Sequence, residues 1–176
     1  MKAFGIVRIL ALVMVLALAC SGIALGEAET YDTVKDIKLG TSGYHIVTLS
    51  DFQQGMLLEE DIADHQVAYW YSESVLLDFD VYQTPKPEGI SSLQDYVMAI
   101  IGENTAVTEL VTQATINGIP AAWFRTVEAY GEGEYDVEYL TLEDKDSFIC
   151  VVFWLDGDEA LVEADKIVHS LYYEEG

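Results

Sequence analysis

Positive charge is the scarcest property of this sequence. Only 8 of its 176 residues are lysine or arginine, against 31 aspartate or glutamate, and the formal net charge at pH 7 is −23. Nucleic acids and anionic lipid surfaces attract proteins through clusters of basic residues. The composition therefore argues against nucleic acid and against a bare membrane surface as partners. It favours solubility, and it favours contact with cations or basic proteins.

Cysteine is almost absent, with Cys20 and Cys150 alone in the chain. If Cys20 is removed or lipidated during export, no intrachain disulfide can form, although an extracytoplasmic environment permits one. The protein must then depend on its hydrophobic core, for which a domain of about 150 residues is large enough. Cys150 lies in an apolar segment, and we expect it to be a buried, unreactive thiol.

Long apolar runs are also missing. The longest, residues 9–19, has about eleven residues, whereas a transmembrane helix needs roughly 20. Lys2 and Arg8 precede this run and small residues follow it, which is the pattern of a secretory signal. The sequence therefore predicts a protein that is exported from a bacterial cytoplasm.

Two processing sites fit the end of this signal. Cleavage after residues 1–26 would follow small residues at positions −3 and −1 and would release a soluble protein beginning at Glu27. Cleavage after residues 1–19 would expose Cys20 for lipidation and leave a membrane-anchored lipoprotein. The sequence favours the first site, because Leu18 stands where a lipoprotein signal usually has a small residue. The soluble and the lipid-anchored forms are both retained as hypotheses.

The remainder of the chain is predicted to form one domain. Residues 27–36 are polar and charged and are expected to be a flexible acidic tail, and residues 37–173 are expected to be the folded domain. Segments rich in β-branched and aromatic residues predict strands. These segments are residues 44–49, 66–72, 75–84, 107–116, 119–130, 134–142 and 148–155. Residues 56–64 show no clear period and are predicted to be a loop or an irregular strand.

Two segments have the periodicity of amphipathic helices. Ser91 and Gln94 fit a capping box at the start of the first, which Gly102 ends, and Asp156 and Glu159 fit one at the start of the second. The apolar residues spaced by three and four are Leu93, Val97, Ile100 and Ile101 in the first helix and Leu161, Ala164, Ile167, Val168 and Leu171 in the second.

The predicted element order is β-β-β-α-β-β-β-β-α, with connections of hairpin length. Short connections indicate an antiparallel sheet, so we predict an α+β fold with about six to seven strands and two packed helices. Residues 148–155 are apolar throughout, which is typical of a strand covered on both faces. We therefore place this strand at the centre of the sheet.

This order of elements resembles the PsbP-like superfamily, which includes photosystem II extrinsic subunits, Ran-binding Mog-like proteins and small bacterial envelope proteins. The segments that carry the resemblance are GYHI (43–46), DFDVYQT (78–84), SSLQDYV (91–97), INGIPAAWF (116–124) and FICVVFWLDGDEALVEADKIVHSL (148–171). The resemblance implies a shared fold and a non-enzymatic binding or assembly role with a protein partner. It carries no functional residue over to this chain.

No catalytic or cofactor motif is present. The sequence has no nucleophile elbow, phosphate-binding loop, zinc-protease motif or dinucleotide fingerprint, so no catalytic residue and no cofactor is predicted. A hydrolase with two carboxylates as acid and base is the enzymatic alternative. It would need carboxyl groups roughly 5 to 10 Å apart in a cleft, with one pKa raised.

Two rows of carboxylates are the candidate metal ligands. Asp78 and Asp80 share one face of their strand, and Glu134, Asp136 and Glu138 share one face of another, because side chains alternate with period two. Calcium takes six to eight oxygen ligands and could use such rows. A solvated sheet face is the first interpretation of these rows, and a calcium- or small-ligand-binding protein is the second functional hypothesis.

Aromatic residues and one arginine are the candidates for contact with a ligand or partner. Tyr69 and Tyr71 share a strand face with Trp70 on the opposite side, and one of these faces should stay partly open. Arg125 falls within about one position of Glu138 across the predicted hairpin. We interpret Arg125 as a structural ion pair, with an anchor for an anionic ligand as the alternative.

Overall fold

Ten strands and three helices occur in the computed structural model, which describes residues 34–102, 106–130 and 133–175. The strands are β1 (Val34–Lys38), β2 (Tyr44–Leu49), β3 (Gln53–Gln54), β4 (Gln66–Ser72), β5 (Leu77–Pro85), β6 (Val107–Ile116), β7 (Ile119–Tyr130), β8 (Gly133–Glu143), β9 (Ser147–Leu155) and β10 (Tyr172–Tyr173). The helices are α1 (Glu59–Ala63), α2 (Leu93–Ile101) and α3 (Asp158–His169). The predicted signal, both processing sites and residues 27–33 of the predicted tail lie outside the described residues.

Seven strands form a large antiparallel sheet in the order β3-β4-β5-β9-β8-β7-β6. The hairpin between β6 and β7 turns at Asn117 and Gly118, whose φ angles of 52° and 84° suit the tight turn expected from an Asn-Gly pair. Strand β9 is the fourth of the seven, and every residue in it except Trp154 is buried. The α+β prediction and the central position of this strand are confirmed.

A small antiparallel sheet, in the order β1-β2-β10, lies beside the large one in the fold. One of its outer strands corrects an expectation. Residues 34–36, predicted as tail, belong to β1, where Val34 pairs with Leu49. In the other outer strand, Tyr172 pairs with His45 although its side chain stays exposed. Elements this short contain too few residues to show a hydrophobic period.

The large sheet has two unlike faces, as β5 illustrates. Leu77, Phe79 and Val81 are fully buried against the main hydrophobic core. We call this side the core face, and helix α3 and the small sheet pack against it through residues such as Ala164, Ile167 and Ile46. The intervening residues of β5 point to the opposite side, which we call the cleft face.

Helix α2 covers one half of the cleft face. Val97 and Ile101 pack there with Ala122 and Phe124 of β7. The helix is capped by Ser92, whose hydroxyl accepts a hydrogen bond from the backbone N–H of Asp95 at 3.1 Å. The prediction of Ser91 as the cap was therefore wrong by one position.

Helix α3 is capped differently from the prediction. Its N-cap is Gly157 with φ 92°, and no side chain caps the helix, so the capping box assigned to Asp156 was wrong. Glycine adopts a positive φ readily because it has no Cβ, so Gly157 suits this position before the helix. None of the helices in the described part of the chain is both long and apolar enough to cross a membrane.

Helix α1 lies within the segment predicted to be a loop. It has no buried residue, so no apolar period could reveal it. Local polar contacts favour it: the Asp61 carboxylate accepts a hydrogen bond from the backbone N–H of Leu58 at 2.7 Å, and its first turn is acidic. This helix and the residues before it stand at the edge of the cleft face.

Candidate functional site

An open cleft of about 590 Å³ lies on the half of the cleft face away from α2. Its floor is made by β4, β5, β8 and β9, and the segment that leads into α1 forms one wall. The lining residues are Met56, Leu57, Leu58, Asp61, Gln66, Tyr69, Asp78, Asp80, Tyr82, Tyr135 and Trp154. A volume of this size is typical of ligand-binding pockets.

Asp80 is fixed at the floor of the cleft by two neutral donors. One carboxylate oxygen accepts a hydrogen bond from Gln66 Nε2 at 2.6 Å, and the other accepts one from the indole Nε1 of Trp154 at 2.9 Å. Burial raises the pKa of Asp80 above its ordinary value, although these hydrogen bonds oppose the shift. Each oxygen therefore accepts one hydrogen bond, and the carboxylate holds two of the lining side chains in place.

Asp78 lies next to Asp80 on the same face and is less constrained. One of its oxygens accepts a hydrogen bond from the Tyr69 hydroxyl at 2.9 Å. The other has no hydrogen-bond partner among the described residues. Burial raises the pKa of Asp78 as well. The carboxylate has lost part of its hydration, and no opposite charge in the described part of the chain compensates for that loss. Asp78 is thus the carboxylate that can accept a group from outside.

Aromatic side chains surround the two carboxylates. Tyr69 stacks on Tyr71 with ring centroids 5.8 Å apart, and Tyr135 meets Trp154 edge to face at 6.5 Å. Burial raises the pKa of Tyr82 to about 12 and also raises the pKa of Tyr69. These phenols therefore stay neutral at physiological pH and present hydroxyl donors and π faces to the cleft.

The two predicted carboxylate rows lie on opposite faces of the large sheet. Asp78 pairs with Trp154 on the cleft face, whereas Glu138 pairs with Phe153 on the core face, and Glu134 and Asp136 belong to the Glu138 row. Within the described residues, no three His, Cys, Asp or Glu side chains come together as a group able to hold a metal ion. The structure therefore does not combine the rows into one cation site.

Arg125 pairs with Glu138, as the hairpin register predicted. The two residues are direct neighbours across β7 and β8, and the guanidinium lies 2.5 Å from a carboxylate oxygen of Glu138. A small cavity of about 80 Å³ beside them is also lined by Asp136 and Asp158. The ion pair confirms the structural interpretation, and two further carboxylates give the cavity the wrong sign for an anionic ligand.

The aromatic candidates are divided between the two faces. Tyr69 lines the cleft, and Tyr71 stands behind it in the stack. Trp70 points to the core face instead, where the Lys35 ammonium lies 5.4 Å from its ring centroid. The open face of this strand is therefore the one that carries the tyrosine pair.

Sequence reasoning missed several lining residues. Tyr82 has a signal, because it continues the alternation that begins at Asp78. Tyr135 and Trp154 have none, since they reach the cleft through the pairing of β5 with β9, which the hairpin pattern does not specify. Gln66 has none because an irregularity in the pairing of β4 with β5, between Gln66 and Ala68, breaks the alternation that leads to Tyr69. Asp80 and Trp154, for example, are 74 residues apart in the chain.

Comparison with known proteins gives similarity in structure alone. No family model matches the chain, and no curated protein is significantly similar in sequence. A protein from Bacteroides thetaiotaomicron superposes with a TM-score of 0.52 and 15% identity over 76% of this chain. This chain spans about half the length of that protein, covering 46% of it. LpqN of Mycobacterium tuberculosis, described as involved in cell envelope biogenesis, superposes with a TM-score of 0.46 and 8% identity over 79% of this chain and 89% of LpqN.

A cyanobacterial protein superposes over almost its whole length. PsbP of Synechocystis (CyanoP) gives a TM-score of 0.59 and 9% identity, over 88% of this chain and 97% of the cyanobacterial one. An identity this low is evidence of a common fold and of nothing more specific. The large antiparallel sheet, its helices and this superposition together show that the chain has the PsbP-like fold.

Proposed function

We propose that this protein is a non-enzymatic binding module that acts outside the cytoplasm, and that the cleft is the site where a protein partner binds. One observation carries the proposal: the cleft combines an incompletely partnered carboxylate, Asp78, with a ring of aromatic side chains on a concave surface. Concave sites with a few polar groups among aromatic residues are typical of binding sites. The PsbP-like fold is consistent with this role.

The rim of the cleft supports a macromolecular partner. Met56 is 87% exposed and Leu58 is 55% exposed, and both line the cleft. Exposed apolar side chains next to a concave polar site are typical of interaction surfaces, because a partner that covers them removes apolar area from water. A polar floor with an apolar rim therefore offers both orientation and contact area.

A hydrolase is the second candidate, because the cleft meets part of its requirement. Asp78 and Asp80 lie in one cleft, and burial raises the pKa of both. An acid and base pair, however, needs two carboxyl groups that are free to exchange protons with substrate and water. Both oxygens of Asp80 accept hydrogen bonds from Gln66 and Trp154, so the geometry favours binding over hydrolysis.

Site-specific photo-crosslinking in the producing cells tests the proposed site. A photoreactive amino acid replaces Met56 at the cleft rim in one variant and Val162 in the control. Val162 is 56% exposed on α3, the helix that packs on the core face. We expect a protein adduct of defined mass from position 56 only, and we expect excess unlabelled protein to suppress it. Equal adducts from both positions, or none from position 56, would contradict the proposal.

The intact mass of the mature protein tests the proposed location. A mass that begins at Glu27 would indicate a free exported protein, and a mass that begins at Cys20 with acyl chains would indicate a lipoprotein. Either result supports action outside the cytoplasm. A mass that still includes residues 1–19 would contradict export by cleavage.

A further inference from the structure

The charge of the cleft indicates which part of a partner enters it. Three of the described residues that line it are aspartates, Asp61, Asp78 and Asp80, and none of them is lysine, arginine or histidine. Lys86 and Arg125, which form ion pairs in the described part of the chain, pair with Glu143 and Glu138 away from the cleft. A counter-charge for the cleft must therefore come from another molecule.

The aromatic rings favour a cation of organic type. Tyr69, Tyr135 and Trp154 line the cleft together with Asp78. The faces of such rings attract ammonium groups, and the attraction grows where water is excluded. A hydrated metal ion would gain little from them, whereas an ammonium on an aliphatic chain can contact rings and carboxylate at once.

The hydrogen bonds within the cleft distinguish lysine from arginine. Guanidinium groups bind best to a carboxylate that offers both oxygens side by side. Each oxygen of Asp80 already accepts one hydrogen bond, and Tyr69 donates to one oxygen of Asp78, so the most open acceptor is the other oxygen of Asp78. One open acceptor suits the compact ammonium of lysine, which binds as a point charge, better than the two-pronged guanidinium.

The apolar rim suits the rest of the same side chain. The aliphatic stem of lysine packs along apolar surface while its ammonium stays at a polar group. Met56 and Leu58 stand at the rim where such a stem, and apolar neighbours in the partner sequence, would lie. The cleft thus matches lysine in charge, hydrogen-bonding capacity and apolar contact.

We propose that the cleft binds a lysine side chain of the partner protein, with the ammonium at Asp78 between the rings of Tyr69 and Trp154 and the stem against Met56 and Leu58. This inference rests on the proposed function, because it names what the cleft receives. It specifies a lysine flanked by apolar residues, and it excludes a free small amine as the principal ligand.

Titration of the purified full chain with short peptides tests this inference. The probe is a peptide with a central lysine between two leucines, and the matched peptides carry Nε-acetyllysine or arginine at the centre. The readout is the NMR signal of the Trp154 indole N–H, identified by its loss in Trp154→Phe. We expect the lysine peptide to shift this signal and to bind about tenfold more tightly than the acetylated peptide.

Two variants connect the effect to Asp78. We expect Asp78→Asn to weaken the lysine peptide about tenfold, since it removes the charge and keeps the shape. Glu134→Gln removes one charge from an exposed position on the opposite face and is the matched control. We expect it to leave the binding constant unchanged.

The alternative outcomes separate this inference from the proposed function. Equal binding of the lysine and acetyllysine peptides would overturn the inference and leave the cleft as a binding site. Binding of butylammonium as tight as that of the lysine peptide would overturn the protein side chain as occupant. If no peptide shifts the Trp154 signal, the inference fails. The crosslinking at position 56 tests the proposed function separately, because it does not depend on the charge of the partner residue.

Discussion

The two faces of the large sheet differ in the partners that their buried or half-buried carboxylates have, although the same strands build both faces. On the core face Phe79 is fully buried, and the buried carboxylate Glu138 has the guanidinium of Arg125 beside it. On the cleft face the hydrogen-bond donors to Asp78 and Asp80 that belong to the described residues are all neutral. Burial of a charge without an opposite charge costs free energy. The core face therefore stabilises the fold, whereas the cleft face holds carboxylates that the proposed partner lysine would neutralise.

The cleft face itself is divided by α2. Under the helix, Cys150 and Val152 are buried with Val137 in an apolar cluster. Beyond it, β9 and the neighbouring strand β5 carry Trp154 and Asp80 toward the open cleft. Coverage by one short helix thus decides which half of the face is core and which half stays open.

The largest difference between the faces should appear on removal of Phe79. We expect Phe79→Ala to lower the free energy of unfolding by about 3–5 kcal/mol, because it opens a cavity in the centre of the core. Asp78→Asn, one residue away on the other face, should change it by less than about 1 kcal/mol. Urea unfolding measures both. Similar losses for the two variants would remove the distinction between the faces.

The ion pair of Arg125 with Glu138 tests how much a counter-charge stabilises a buried carboxylate on the core face. We expect Arg125→Ala to cost about 2–3 kcal/mol, since it leaves the Glu138 carboxylate buried without a counter-charge. Lys86→Ala breaks the more exposed pair with Glu143 and should cost about 1 kcal/mol or less. Chemical denaturation of the two variants at one pH gives the comparison, and an equal cost would show that Glu138 is solvated.

Stability should depend on pH through the cleft-face carboxylates. Burial raises the folded-state pKa of Asp78 above the unfolded value of about 3.9. Protonation of Asp78 therefore favours the folded state. This stabilisation is fully present below the unfolded pKa and is lost as pH rises through the raised folded pKa. We expect the wild type to lose stability relative to Asp78→Asn as pH increases across this window. Urea unfolding from pH 3.5 to 7 measures it, with Glu134→Gln as control, and parallel curves would contradict the shift.

The last and smallest expected effect is on the chemical reactivity of Cys150, in the half of the cleft face that α2 covers. Burial raises the pKa of the Cys150 thiol to about 12, so a thiol reagent at pH 8 should meet almost no thiolate in the folded protein. In a Cys20→Ser variant, we expect labelling of Cys150 to be strongly suppressed without urea and rapid with it, as followed by mass spectrometry. Rapid labelling of the folded protein would show that α2 does not seal this half.

Local signals predicted the later strands well. Residues 107–116 and 119–130 were predicted as strands with the bounds that the structure shows, because Asn117 and Gly118 define the turn between them. The helix caps were less predictable. Ser91 and Ser92 are both able to cap, and only the backbone angles in the folded chain select Ser92. Short elements such as β10 gave no signal, since they exist through pairing with β2.

The candidate site was predictable in part. Asp78 and Asp80 were recognised because alternation along their strand places them on one face, and Tyr69 was recognised together with Tyr71 in the same way on the preceding strand. Trp154 and Gln66 were not recognised as their partners. The pairing of β5 with β9, rather than with the next strand in the chain, brings Trp154 to Asp80.

The sequence by itself determined the α+β class, the acidic charge and the alternation that separates Phe79 from Asp78, because these depend on composition and on neighbours along the chain. Tertiary structure alone decided that β9 lies beside β5, that α2 covers only half of one face and that Asp80 receives its two donors. These features depend on contacts between residues far apart in sequence, whose energies are set by the packing of the whole domain.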